Sequence, residues 1–183
     1  IDVKDHIKSD EDAVLFSKMF QAKNKFYEAK QILKKIEDNK EKKINQIAID
    51  LNQFLTNQNI NMKELRENLA DPMLIEDNSE KLRRLILVML INMDLDQDFK
   101  KIIKSYKPFL DESSSSTDLK NLFFAQRFSS EKDFFNSLNT LFRVVGNKDF
   151  SSLNLIENFS ALIILKNLGL DEELKKMSAS ILL

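Results

Sequence analysis

The sequence predicts an all-α protein built of antiparallel helical hairpins. Three observations carry that prediction. Gly and Pro occur only twice each in 183 residues, too few for the turns of a β-rich domain of this length. Apolar residues recur at helical rather than strand spacing along nearly the whole chain. A hairpin-sized unit also returns, with corresponding positions 35 to 37 residues apart.

The elements follow in chain order. Residues 1–9 are polar and read as a flexible N-terminus, which includes His6, the single histidine. Ser9 or Asp10 then stands where an N-cap belongs, ahead of acidic residues and an apolar face of Val14, Leu15, Met19 and Ala22. A break near Asn24–Lys25 precedes a helix over 26–38, whose one face carries Phe26, Ala29, Leu33 and Ile36. Ile44, Ile47, Ala48, Leu51, Phe54 and Leu55 predict a long amphipathic helix. The next, "NMKELRENLA", stops before Asp71–Pro72, because a residue preceding Pro is pushed out of the helical region. "SEKLRRLILVMLINM" predicts the most buried helix, and "DQDFKKIIKSYKPF" one that stops at Pro108. "DESSSSTD" is the one low-complexity stretch and predicts a Ser-rich linker at 111–117. Four further segments bring the series to about ten helices, including "LFRVVG", which a strand reading would misplace.

Phe26 marks the start of the second helix of a hairpin. Met62, Phe99, Phe134 and Asp171 correspond to it, at intervals of 36, 37, 35 and 37 residues. Phe20, Met93, Phe128 and Leu165 each lie six residues before their markers. Ser17 and Ala125 lie nine before theirs, where a small side chain lets two helices approach. With these residues the chain resembles the tetratricopeptide repeat, a helix–turn–helix unit of about 34 residues. The likeness is best over "AVLFSKMFQAKNKFYEAKQILKKI", where Ser17, Phe20, Phe26, Ala29, Leu33 and Ile36 stand in the family's positions. It is next best over "NLFFAQRFSSEKDFFNSLNTLF", with Ala125, Phe128, Phe134 and Ser137. The chain departs from the family at the hairpin Gly, here Asn24 and Lys132, and in the unit around Gln53 and Thr56. The resemblance implies a helical-repeat domain over 10–183, stacked as a short right-handed α-solenoid of about five hairpins. The alternative is a single globular helix bundle. Adjacent phenylalanines at 123 and 124, and at 134 and 135, point about 100° apart on a helix, so one of each pair is expected in a hairpin core.

The bulk chemistry excludes several classes. A net charge of -1 draws the chain to neither nucleic acid nor an anionic membrane. Without Cys there is no disulfide and no thiolate metal site. The longest apolar run, Leu85 to Met93, is about half a bilayer span. Asp94, Asp96 and Asp98 alternate as in a calcium loop, but Phe99 and Ser105 occupy the places of its Gly and Glu, so the reading is a helix cap. One histidine builds no triad, and no nucleophile–base set appears, so neither an enzyme nor a cofactor is expected.

The expected function is a non-enzymatic protein–protein interaction scaffold. It would hold a peptide or protein segment in a groove lined by the first helix of each hairpin. Lys18, Gln21, Lys23, Arg83, Arg84 and Arg127 are the candidate contacts. The alternatives are a structural domain of a larger envelope or scaffold protein, or the accessory superhelix of a cell-wall lytic enzyme. A start on Ile1 and an apolar end at Ile181, Leu182 and Leu183 point to the remainder of a longer chain as partner, or to a homo-oligomer formed through the C-terminal helix. Both the cytoplasm and a bacterial periplasm are compatible with this composition.

Overall fold

A computed structural model of the chain describes residues 7, 9–77, 79–106, 116–146, 148 and 152–182. Most of the expected flexible N-terminus, with His6, lies outside the described residues, as do Pro108, 111–115 of the Ser-rich linker and Leu183. Ser116 and Thr117, also placed in that linker, instead form the start of a helix.

Among the described residues there are eleven α-helices and no strand, which is the class the composition predicts. They are α1 (Asp10–Ala22), α2 (Phe26–Leu33), α3 (Lys40–Leu55), α4 (Met62–Leu69), α5 (Pro72–Ile75), α6 (Glu80–Asn92), α7 (Gln97–Ser105), α8 (Ser116–Ser130), α9 (Phe134–Val145), α10 (Leu155–Leu168) and α11 (Asp171–Leu182). They fall into two compact units. One holds α1 to α5, α6 up to Leu85, and α7; the other holds the rest of α6 with α8 to α11 as far as Ile181.

Side-chain caps start these helices. Ser9 Oγ accepts from Asp12 N at 3.1 Å, and Asp12 Oδ2 accepts from Ser9 N at 3.1 Å, a reciprocal capping box. Asn154 and Glu157 repeat that box at α10. Asn39, Asn61, Asp71 and Asp133 each accept from the first turn they precede. Asp96 does the same for α7, taking Asp98 N at 3.0 Å and Phe99 N at 2.9 Å. The alternating acids there are thus a cap, with Arg66 as an added partner.

Left-handed residues end four of them. Asn24, Asn57, Lys132 and Gly169 have φ of 56, 59, 62 and 73°. At each, the next residue's N–H reaches back six residues in the count: Lys25 to Phe20 O, Gln58 to Gln53 O, Asp133 to Phe128 O, Leu170 to Leu165 O. The left-handed residue itself bonds the following carbonyl, as in Asn24 to Gln21 O. This is the Schellman pattern, which satisfies carbonyls that a helix end would otherwise orphan. The second helix begins two residues later on Phe26, Phe134 and Asp171, and five residues later on Met62.

In the first unit, Phe26, Ala29, Ile32, Leu33, Ile36, Ala13 and Ile49 make a buried cluster. Ser17 of α1 and Ala29 of α2 are both buried where these two helices pack, as small crossing residues should be. The helix expected over 26–38 ends at Leu33. Lys35 N and Ile36 N bond Ile32 O and Leu33 O, three residues back, and this tightening still turns Ile36 into the core. In the second unit α8 packs on α9 and α10 through small buried residues, Ala125, Ser129, Ser137, Ser160 and Ala161. Gln126 Nε2 donates to Ser160 Oγ at 3.2 Å, and Asn92 Nδ2 to Ser178 Oγ at 2.9 Å.

Two expectations are corrected by burial. Both members of each Phe pair are exposed: Phe123 and Phe124 on α8, Phe134 and Phe135 on α9. The small residues of the second unit fill the helix crossings instead, leaving the aromatics outside. At the apolar C-terminal end, Ile181 and Leu182 are buried rather than open.

Candidate functional site

The six residues picked from the sequence divide between the two units, five in the first and one in the second. Gln21 is buried and accepts from Asn52 Nδ2 at 3.1 Å, so it joins α1 to α3. Lys18 is half-buried on α1, and Lys23 is exposed just past its end. Arg83 and Arg84 are half-buried on α6, where Arg84 pairs with Glu80 one turn earlier. These five belong to the first unit. Arg127, exposed on α8 and paired with Glu131, belongs to the second.

Among the described residues of the second unit, a groove lies among α9, α10 and α11. Its volume is ≈ 270 Å³. Leu138, Leu141, Phe142 and Val145 of α9 form one wall. Ala161 and Leu165 of α10 form its floor with Leu170, and Met177 of α11 forms the far wall. Only Glu173 and Lys176 bring charge, at the α11 edge. Second helices of hairpins, α9 and α11, therefore supply the walls, not the first helices.

The sequence of α9 explains the opening. In FFNSLNTLFRVV the single charge is Arg143. Ser137, Leu141 and Val145 face inward and are buried. Leu138 is half-buried, while Phe142 and Phe135, about 40–60° further round the helix, are 64% and 75% exposed. The apolar arc of α9 is thus wider than its neighbours cover. The spacing 135, 138, 142, 145 was the signal available in the sequence, and the repeat markers drew attention to Phe134 instead.

The lining is mostly apolar, and its titratable side chains are Glu173 and Lys176. The first unit holds buried or half-buried charged side chains at Asp50, Asp77 and Lys81. Lys30 Nζ lies 2.6 Å from Asp50 Oδ1, yet neither Asp50 oxygen accepts a well-directed hydrogen bond. Burial pushes the Asp50 carboxyl above its ordinary value, against the pull of Lys30. Asp77 is the opposite case. Burial would raise it, but Lys40 at 2.6 Å and two bonds from Ser79, at 2.9 and 2.7 Å, hold it below. Lys81 donates to Asn45 Oδ1 at 3.1 Å, and burial lowers its ammonium, helped by Lys18 nearby.

Among the described residues no group of three or more His, Cys, Asp or Glu is placed to hold a metal ion. None of their helices is long and apolar enough to cross a membrane. Compared with protein-family models, curated proteins and solved structures, the chain matches none.

Proposed function

We propose that this chain is a non-enzymatic interaction module, a short array of helical hairpins that takes an apolar protein segment into the groove of α9, α10 and α11. The observation that carries this reading is the pairing of an apolar groove with exposed aromatics, Phe142 in its lining and Phe135 two turns earlier on α9. Large exposed apolar patches mark contact surfaces, and aromatics at the centre of such patches supply most of the binding energy. Covering each ring would contribute about 2 kcal/mol before the cost of association. The volume is below that of most small-molecule sites and suits one or two side chains.

The test is affinity capture from the source cells with the chain as bait, beside a Phe142→Ser bait. A protein held by the first and lost from the second is the expected result. Identical captures from both baits would remove the groove from the reading. The substitution is at an exposed position, so a lost partner would not reflect a lost fold, which circular dichroism checks.

A further inference from the structure

Building on the groove reading, we propose that the occupant of the groove is a second copy of this chain, docked with its α9 antiparallel to the first across a two-fold axis.

The pattern on α9 asks for a helix. Phe135, Leu138, Phe142 and Val145 are spaced three, four and three residues apart, the alternation of a helix–helix seam. Val145 is satisfied within the chain, Leu138 is half-satisfied, and the two phenylalanines are open. The half that lacks a neighbour is therefore a continuous strip of one helix.

The same face also carries what would fill it. A two-fold contact requires one patch to offer both projections and hollows, since it meets itself. Here Phe135 projects, and the hollow lies beside Phe142. With the axis passing between Leu138 and Asn139, Phe135 of each copy stands opposite Phe142 of the other, and the contact occurs twice. A cavity of about 150 Å³ already accepts a benzene ring. The groove, at ≈ 270 Å³, has room for a phenylalanine ring.

Charge does not oppose the pairing. Arg143 is the only charged residue of α9, and the antiparallel register sets the two copies of it about 13 Å apart along the seam, beyond a Debye length at physiological salt. The rim holds one acid and one base, Glu173 and Lys176, so it meets its own copy without a surplus of either sign. The net charge of -1 adds no long-range repulsion.

Sedimentation velocity on the full chain, over about 1 to 100 µM, tests the proposal. The expected species has twice the 21.3 kDa mass of one chain. Phe135→Ser and Phe142→Ser should each weaken the dimer at least about tenfold, with helical content unchanged. Because the chain has no Cys, Leu138→Cys gives a single thiol next to the axis, and it should form a disulfide-linked dimer under mild oxidant. Tyr27→Cys, exposed in the other unit, should not. A monomer throughout that range overturns the second-copy assignment; if Phe142-dependent capture still succeeds, the groove reading stands with another protein as occupant. A dimer indifferent to both Phe substitutions, or linked through Tyr27→Cys and not Leu138→Cys, also overturns it.

Discussion

Lys132 holds a φ of 62°, a region where an L side chain crowds the backbone and where glycine fits freely. The bonds from Lys132 N to Ser129 O and Asp133 N to Phe128 O hold it there. Lys132→Gly should therefore raise stability by about 1 kcal/mol, less whatever the Lys132 contact with Asn167 O contributes. Urea unfolding monitored by circular dichroism measures it. The sequence showed the position, since Lys132 and Asn24 stand where the resembled family has glycine, but not the conformation. Neither residue type demands a left-handed backbone; the closing hydrogen bonds impose it. The buried carboxylates give a second residue-level prediction. Asp50 is raised by burial, so the native state holds its proton more tightly than the unfolded chain does. Its contribution is fully present below the ordinary value of 3.8 and is lost as pH rises through the raised value. Relative to Asp50→Asn, the wild type should become more stable on acidification. Asp77, held below that value, runs the other way: its contribution is present above 3.8 and is lost as pH falls through its lowered value. Unfolding of the Asp50→Asn and Asp77→Asn chains across pH 3 to 7, a range bracketing ordinary carboxylates at about 4, should show opposite slopes against wild type.

Helix starts were far more legible than helix faces. Ser9, Asp96 and the acids around them announce their caps, because a cap is a local bargain between a side chain and a nearby N–H. The early end of α2, and the placement of the phenylalanine pairs, depend on which neighbour lies alongside, and spacing within one segment does not encode that. Small residues at crossings were the better guide. Ala125 is fully buried where α8 meets its neighbours. Ala125→Leu should cost about 1 to 3 kcal/mol through overpacking, read as a lower urea midpoint, whereas Lys120→Leu, at an exposed site of the same helix, should be nearly neutral. The groove itself was hidden for the same reason. Its α9 wall could be read as a seam, but the far wall comes from Met177, more than thirty residues on in the chain.

For the whole molecule, composition alone identified the helical class, because two Gly and two Pro leave no supply of tight turns. Its division into two units was not visible, since α6 runs through the boundary without any change in sequence character. Net charge and exposed aromatics act together at this scale. With pI ≈ 6.0 and several open phenylalanines, the chain should be least soluble near that pH and more soluble on either side, as precipitation by polyethylene glycol would measure.

The four left-handed closures also bear on how quickly the chain finds its fold. Each joins two helices through a turn of a few residues, so the helices it connects meet after closing a very short loop. Such contacts form in microseconds, ahead of pairings that span the chain. Substitutions that ease a closure, Asn57→Gly among them, should then speed refolding and leave unfolding nearly unchanged, making the turns the pacemakers of assembly.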